Sequence, residues 1–402
     1  MATIGSALAE PHRQILTSTE RNIWLDNWEV TETDVGWESS SEWSVRKQTL
    51  HGGKQDGVDL ITVDNGALRL IVIPTRGMGV LSVDGAGVHL GWESPVKEVV
   101  HPRHVNLHSR GGLGWLDGFN EWMVRCGLES AGHPGKDKFI TNTGDEAEMD
   151  LTLHGKIANI PASEVTVLID DNPPYRIRVR GRVDERMFYG PKLELWTEIS
   201  TIPGSLEFRI EDTITNHGGY DQEFQLIYHA NYGAPLLDKG SAFLAPVKRV
   251  TPFNDHAAKS VNRYEEYQGP TLGFVEQVYC LFPLSDRQGR TLIMLRNSAG
   301  NQGVSMSYNT GNLPYLTQWK NTNSRAEGYV TGLEPATGFP FNRSVERKFG
   351  RVPKLKPGEK RTFAIDFALL ANERQIEETT RKIRRIQGNQ APQIDTKPVA
   401  LH

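Results

Sequence analysis

The sequence predicts an all-β protein of antiparallel sheets packed face to face, with one C-terminal helix. Segments that alternate polar and apolar residues, or that are rich in β-branched residues, recur between residues 60 and 368. Turn signals rich in Gly, Pro, Asn and Asp separate these segments, and helical periodicity between them is almost absent. The predicted strands are Leu60–Val63, Leu68–Ile73, Glu164–Ile169, Tyr175–Arg180, Leu193–Ile199, Leu206–Ile210 and Thr362–Ala368.

A single clear helix is predicted near the C-terminus. Asn372 suits the N-cap position, and Gln375 stands where its side chain would complete a capping box. An apolar stripe with helical spacing follows and consists of Ile376, Ile383 and Ile386. Gly388 ends the pattern, and we expect the stripe to dock the helix on a sheet.

The chain of 402 residues divides into three predicted parts. Residues 46–388 form one sandwich domain, because the hairpin pattern continues without a break in composition. Residues 1–45 are expected to be an extension packed on that domain, with a short helical start, Pro11–Thr17, and one or two strands. Residues 389–402 are polar and contain proline, and are expected to form a mobile tail.

Composition excludes several classes of protein. The net charge is −4 with both signs interspersed, so the chain lacks the basic surface of a nucleic-acid-binding protein. Cys126 and Cys280 are too few for a disulfide framework or a cysteine-type zinc site. No secretory signal or apolar stretch of membrane-spanning length is recognisable. We expect a soluble, cytoplasmic protein with no nucleic-acid or membrane partner.

The segment from His101 to Pro134 is rich in Gly, His and Trp and has no sustained periodicity. Loops of this length are usually functional or disordered, and the aromatic residues argue against disorder. The spacing of His101, His104 and His108 suggests a metal site on a helical face. Pro102 and the glycines that follow make a stable helix doubtful, so a polar loop without metal is preferred.

Four motifs carry side chains suited to catalysis, and they centre on Arg76, His154, His229 and Glu334. A histidine at a strand end is more often structural than catalytic, and an arginine after an apolar strand usually pairs with a carboxylate. A lone Glu before Pro is most often an exposed hairpin residue. Glu334 is a stronger candidate because Pro and Gly after it fix the backbone, and Trp319 lies one strand earlier. A rigid carboxylate beside an indole suits gripping a sugar hydroxyl and removing its proton.

The order of these motifs resembles the aldose 1-epimerase (galactose mutarotase) superfamily. The shared order is Arg, His-Gly, His-x-x-Tyr, then Trp followed by Glu-Pro-x-x-Gly, and the similarity spans about residues 50–370. The run Leu153-His-Gly-Lys-Ile-Ala-Asn-Ile-Pro-Ala162 resembles a divergent, mostly uncharacterised branch of it (DUF4432-like). The resemblance implies a large antiparallel β-supersandwich with a sugar site on the concave face of one sheet.

The resemblance also implies roles for individual residues. His154 matches the first site histidine, His229 the histidine that acts as general acid, and Glu334 the carboxylate that acts as general base. Arg76 matches an arginine that contacts sugar hydroxyls, and Trp319 a tryptophan near the carboxylate. The remaining residues expected to bind substrate are Asn231, Gln318, His108 and Trp115, and Trp122 is expected over or beside the cleft, although a packing role suits it nearly as well.

Three features depart from the superfamily pattern. Its substrate-binding aspartate has no clear counterpart, and its His-x-x-Phe-Asn motif is replaced by His229-Ala-Asn-Tyr-Gly233. The segment from His101 to Pro134 also has no simple equivalent in ordinary galactose mutarotases. These departures leave the identity of the substrate, and the reaction itself, open.

The leading hypothesis is therefore an isomerase that exchanges sugar anomers by Glu/His base and acid catalysis, without cofactor or metal. One alternative is a lyase, hydrolase or isomerase on an oxidised or unusual sugar, assisted by a metal on the loop histidines. Another is a non-catalytic sugar-binding protein. The expected partner is a small-molecule sugar, and a homodimer is compatible with the sequence.

Overall fold

A computed structural model describes residues 12–36 and 41–399, in which β-strands are the main regular structure. In chain order the strands are β1 (His12–Ser18), β2 (Ile23–Trp24), β3 (Trp28–Thr31), β4 (Ser44–Thr49), β5 (Asp59–Asp64), β6 (Leu68–Ile73), β7 (Gly79–Gly85), β8 (Val88–Leu90), β9 (Met123–Leu128), β10 (Gly135–Ile140), β11 (Glu146–Leu151), β12 (Glu164–Ile169), β13 (Ile177–Arg186), β14 (Lys192–Thr201), β15 (Glu207–Asn216), β16 (Gln222–Glu223), β17 (Gln225–Tyr232), β18 (Ala242–Leu244), β19 (Val247–Pro252), β20 (Gln277–Pro283), β21 (Arg290–Arg296), β22 (Gly303–Asn309), β23 (Tyr315–Asn321), β24 (Val330–Ala336), β25 (Lys354–Leu355), β26 (Lys360–Leu370) and β27 (Gln393–Ile394). The α-helices are α1 (Glu32–Val35), α2 (Ser109–Gly112), α3 (Asp255–Ala258), α4 (Arg343–Lys348) and α5 (Glu373–Gln387). Short 3₁₀ turns occupy Gly53–Gln55, Pro74–Arg76, Pro102–His104, Gly114–Gly118, Ile157–Asn159, Val261–Arg263 and Arg325–Glu327.

Two large sheets form the sandwich. The 10-stranded sheet has the order β18-β21-β22-β26-β15-β14-β13-β12-β1-β2. The 13-stranded sheet has the order β27-β19-β20-β23-β24-β17-β9-β7-β6-β5-β4-β3, with β8 paired to β7. Apart from the parallel pair of β19 and β27, neighbouring strands in these two sheets are antiparallel. The predicted all-β sandwich of antiparallel sheets with a C-terminal helix is confirmed.

The main core lies between these two sheets. Along β14 the side chains of Leu193, Leu195 and Ile199 are buried, and those between them are mostly part-exposed, as the pleat of a strand with one core face requires. The centre of the 13-stranded sheet is different, because all 8 residues of β17 are buried. Its second face is covered by a smaller apolar cluster that includes Trp115 and Phe119.

The helical start expected at Pro11–Thr17 is wrong for the residues that the structure describes. His12–Ser18 is the strand β1, which pairs with β12, and Leu16 enters the main core. Pairing with an existing sheet edge outweighs the local preference of such a short segment. Pro11 lies outside the described residues. Since β3 pairs with β4, residues 12–36 add strands to both large sheets.

The C-terminal helix α5 forms as predicted. The Asn372 side chain accepts a hydrogen bond from the Gln375 amide at 3.1 Å, and the Gln375 side chain accepts one from the Ala371 amide at 2.7 Å. Ile376 and Ile383 are buried against the 10-stranded sheet. Beyond α5, β27 pairs in parallel with β19, so part of the predicted tail adds a short strand to the 13-stranded sheet. No helix among residues 12–36 and 41–399 is long and apolar enough to span a membrane.

The sequence predicted a long loop from His101 to Pro134, but the structure shows that only part of this segment is a loop. Its second half contains β9, which lies between β17 and β7 in the 13-stranded sheet. All 6 residues of β9 are buried. A strand covered on both faces shows no alternation, which is why periodicity failed to reveal it.

Candidate active site

Two ionisable side chains meet on the second face of the 13-stranded sheet. Ala230 on β17 lies opposite Leu333 on β24, and this register sets His229 against Glu334. The His229 Nε2 and Glu334 Oε1 atoms are 3.3 Å apart, and the two residues are only 5% and 2% exposed. Thr317 on β23 lies opposite Glu334 and continues this polar row across the sheet.

A glycine beside the pair allows three site residues to converge. Gly332 lies opposite Trp319 in the register of β24 and β23. A Cβ atom on Gly332 would lie 2.6 Å from Glu334 Oε1, 3.2 Å from His229 Cε1 and 3.3 Å from Trp319 Cε3. The indole Nε1–H of Trp319 donates to Glu276 Oε2 at 2.8 Å, which places a second carboxylate at the edge of this group.

His154 reaches the pair from a different part of the chain. Its ring centroid is 5.2 Å from that of His229. The backbone at His154 has φ of 59°, a left-handed conformation that is uncommon for a non-glycine residue and often occurs at functional sites. Its Nδ1 lies 3.0 Å from the Ala131 carbonyl oxygen. Because a carbonyl can only accept, Nδ1 carries the proton, and the neutral ring has its lone pair on Nε2.

Aromatic side chains of residues 101–122 (the covering segment), which precede β9, cover the histidines. The Trp115 ring centroid is 4.6 Å from that of His154 and 6.1 Å from that of His229. Phe119 packs against His229 at 5.5 Å and against Trp92 at 4.8 Å. The pair is therefore set in a largely apolar surrounding with aromatic faces, which suits the C–H surfaces of a sugar ring.

This surrounding shifts the pKa values toward the neutral forms. Burial raises the pKa of Glu334 well above its usual range, and the charge of Glu276 adds to the rise. Burial also lowers the pKa of His229 to about 4 and that of His154 well below its usual range. Both shifts favour a neutral His229 and a protonated Glu334 carboxyl over the ionised pair.

Asn231 lies on the same face as His229 and is fully buried. Its Oδ1 is 2.7 Å from His229 Nδ1. Its Nδ2 donates to the carbonyl oxygens of Glu121 at 3.0 Å and of His229 at 3.1 Å. These hydrogen bonds engage both ends of the Asn231 amide. The structure therefore places Asn231 against His229, whereas the sequence predicted a contact with substrate.

Arg76 does not line the site as the sequence suggested. It is buried, and its guanidinium donates to the Glu121 carboxylate at 3.0 Å, to Asn159 Oδ1 at 2.9 Å and to the carbonyls of Val100 and Gly118 at 3.3 and 3.1 Å. A buried cation requires such partners. Arg76 therefore joins the segment that covers the site to the sheet, and we withdraw it as a sugar ligand.

Gln318 is also placed away from the pair. It is buried on the side of β23 opposite to Trp319, where its amide donates to the Tyr264 carbonyl at 2.8 Å and to the Tyr267 hydroxyl at 2.9 Å. Successive side chains of a strand point to opposite faces, so adjacent residues cannot both line one site. Gln318 is therefore withdrawn from the substrate-binding set.

Two aromatic residues of the covering segment have different positions from those expected. His108 is exposed at the start of α2, outside the buried wall that Trp115 forms. Trp122 lies in the main core between the sheets, where it packs against Phe208 and Phe367 with centroid separations of 5.6 and 5.1 Å. Of His108, Trp115 and Trp122, Trp115 alone contacts the rings of His154 and His229.

The loop histidines make local contacts. His101 Nδ1 accepts from the Arg103 amide at 3.1 Å, and the Arg103 side chain donates to His104 Nε2 at 3.3 Å. Within residues 12–36 and 41–399, no group of three or more His, Cys, Asp or Glu side chains is arranged to hold a metal ion.

Sequence reasoning missed Glu276, Phe119 and Gly332 as site residues. Glu276 directly precedes β20, and no motif distinguishes it from other exposed carboxylates. Gly332 interrupts a strand pattern, and a glycine in that position often marks a close approach by another group. This was the one signal in the sequence that could have identified it.

The chain matches known proteins over most of its length. The model of a domain of unknown function, DUF4432, matches residues 55–369. A crystal structure from Klebsiella pneumoniae subsp. pneumoniae, of a protein provisionally named an aldose 1-epimerase, has 41% identity and a TM-score of 0.91, covering 97% of this chain and 99% of that one. None of the curated proteins compared with the chain matches it.

More distant structures share the fold alone. A galactose mutarotase-like protein from Clostridium acetobutylicum has 14% identity and a TM-score of 0.54, covering 86% of this chain and 99% of that one. Galactose 1-epimerase from Lactobacillus acidophilus NCFM has 13% identity and a TM-score of 0.52, covering 82% and 99%. The family match and the close relative show that the chain belongs to the DUF4432 family, on a galactose mutarotase-like fold.

Proposed function

We propose that this protein is a sugar epimerase that acts at the anomeric carbon, in the manner of an aldose 1-epimerase. The observation that carries the proposal is the buried contact of His229 with Glu334 at the centre of an aromatic-walled site. The provisional name of the Klebsiella relative supports the same reaction class. The expected substrate is a cyclic aldose.

The two residues supply the proton transfers of ring opening. With the pair in its ionised form, the Glu334 carboxylate removes the O1 proton while His229 Nε2–H protonates the ring oxygen. The C1–O5 bond breaks and C1=O1 forms, so that one proton leaves O1 and one arrives at O5. Rotation about C1–C2 exposes the other carbonyl face, and the reverse transfers close the ring as the other anomer. Each transfer contributes about 10²–10⁴-fold when the group is well positioned.

The surrounding residues are assigned to binding. The Trp115 face would stack on the sugar, and Glu276, fixed by the Trp319 indole, would accept hydrogen bonds from sugar hydroxyls. With its Nδ1 proton directed to the Ala131 carbonyl, His154 would offer Nε2 as an acceptor near the anomeric centre. These roles supply the substrate contacts that Arg76 and Gln318 do not.

The test follows anomer exchange by NMR on a panel of aldoses, with the spontaneous rate subtracted. We expect the wild-type protein to accelerate exchange for at least one sugar, with or without a chelator. Glu334→Gln should abolish the acceleration and leave sugar binding intact, because the amide keeps the shape but cannot accept the proton. The exposed Glu20→Gln variant is the matched control and should behave as wild type. Binding without acceleration in the wild type would instead favour the sugar-binding alternative, and dependence on added metal would favour the metal-assisted one.

A further inference from the structure

We propose that Asn231 is a positioning residue that holds His229 as the Nδ1–H tautomer, so that Nε2 shares a single proton with Glu334. The tautomer is a property of the resting protein. Its consequence for turnover rests on the proposed function.

The hydrogen bonds of Asn231 determine which way its amide points. Two backbone carbonyls, those of Glu121 and His229, lie within 3.1 Å of Nδ2. Carbonyl oxygens only accept, so the NH₂ group must face them, and Oδ1 must face His229 Nδ1 at 2.7 Å. An amide oxygen also only accepts. The proton in this contact therefore belongs to His229 Nδ1, and the neutral ring has its lone pair on Nε2.

The Glu121 carbonyl that orients Asn231 is itself fixed from two sides. It accepts a second hydrogen bond from Trp92 Nε1 at 3.1 Å. The Glu121 carboxylate is held by Arg76, with Nε and Nη2 at 3.0 and 2.9 Å from Oε1. All of these groups except the part-buried Trp92 are almost completely inaccessible to solvent. Arg76 therefore stabilises the series of hydrogen bonds that runs through Glu121 and Asn231 to the His229 ring. This role requires no contact with sugar.

A fixed tautomer determines where the mobile proton lies. With Nδ1 already protonated, the remaining proton of the pair can reside only on Nε2 or on the Glu334 carboxyl, whose atoms are 3.3 Å apart. After ring opening, Glu334 holds the proton from O1 and His229 Nε2 has released its own. On ring closure the Glu334 carboxyl returns its proton to O1 and Nε2 accepts the O5 proton, and this transfer to Nε2 restores the ionised pair without solvent. The opposite tautomer would direct an N–H at the carboxyl and leave no acceptor for this transfer.

The first experiment measures the tautomer in the ligand-free, full-length protein. Long-range ¹H–¹⁵N NMR at pH 7.5 should show His229 with a protonated, pyrrole-type Nδ1 and an unprotonated, pyridine-type Nε2, assigned by comparison with His229→Gln. An Nε2–H tautomer in the wild type would overturn the proposal. This measurement involves no sugar, so its outcome is independent of whether anomer exchange is ever observed.

The second experiment compares two variants. Asn231→Leu has a similar volume but no acceptor, and should lose the Nδ1–H preference and lower kcat by about 10²–10⁴-fold, with KM changed less than about threefold. Asn231→Asp keeps an acceptor at the same place and should retain the Nδ1 proton, which keeps the test informative if the leucine variant does not fold. A wild-type tautomer in folded Asn231→Leu would contradict the proposal. A large rise in KM with kcat unchanged would also contradict it, because that result identifies a sugar ligand.

Discussion

The opposed pKa shifts of His229 and Glu334 predict an unusual pH profile. The proposed mechanism requires the form of the pair with one proton. Because burial lowers the pKa of His229 to about 4, a second proton is added only near that pH, whereas an ordinary histidine would gain it near 6.5. The raised pKa of Glu334 moves loss of the remaining proton to higher pH.

We therefore expect kcat/KM to be broad and bell-shaped, with an acidic limb near pH 4. The measurement is enzymatic anomer exchange as a function of pH, corrected at each pH for the spontaneous reaction. An acidic limb near 6.5 would mean that the site is solvated and that His229 titrates as a free imidazole.

Gly332 provides a second prediction at the scale of one residue. Gly332→Ala would put a methyl group 2.6 Å from Glu334 Oε1 and displace the carboxyl. A displacement of about 1 Å can lower kcat by about 10²-fold, and we expect a loss of that order. Gly219→Ala is the control, because a Cβ there meets nothing within 4 Å. Wild-type turnover in Gly332→Ala would show that the Glu334 position seen here is not the reactive one.

Motifs and strand period in the sequence carry information about individual site residues, but contacts between distant parts of the chain do not appear in it. The motifs singled out His229 and Glu334, and the structure brings their side chains into contact. The strand period could have excluded Gln318, because its neighbour Trp319 was already assigned to the site face. The partners of Arg76 could not be predicted, since Glu121 is 45 positions away in the sequence and only the fold brings them together.

The covering segment acts as one element, and Trp115 is its contact with the histidines. Trp115→Ala should raise KM by about 2–10-fold or change the sugar preference, because an aromatic contact contributes about 0.5–1.5 kcal/mol. Tyr220→Ala, at an aromatic residue that is 88% exposed, is the control. Steady-state kinetics on the preferred sugar and a thermal melt check this prediction. Unchanged kinetics in a folded variant would remove the segment from substrate selection.

Whole elements were predictable where their burial was one-sided. β14 and β26 alternate, and the sequence located both, as it located α5 from its cap and apolar stripe. β9 is covered on both faces, and β1 takes its conformation from pairing with β12. Neither property leaves a periodic signal in the segment itself, which explains why both strands were missed.

At the scale of the whole molecule, an ion pair crosses the core and joins the two large sheets. Arg125 on β9 donates to the Asp212 carboxylate on β15, and both side chains are fully buried. Thr197 also donates to Asp212 at 2.7 Å, and Arg125 donates to the Met78 carbonyl at 2.8 Å. Because β9 continues into the site next to β17, this pair fixes the sheet that carries His229 against the opposite layer.

Removal of one partner should be far more costly than removal of both. Arg125→Leu leaves the Asp212 carboxylate buried without its counter-ion, so we expect the free energy of unfolding to fall by about 3–5 kcal/mol in urea titrations. Arg125→Leu combined with Asp212→Leu removes both charges and should recover most of that loss. A single variant as stable as the wild type would show that water reaches Asp212, and would contradict the sealed core between the sheets. If the double variant is stable but inactive, the ion pair serves chiefly to align the 13-stranded sheet beneath His229 and Glu334.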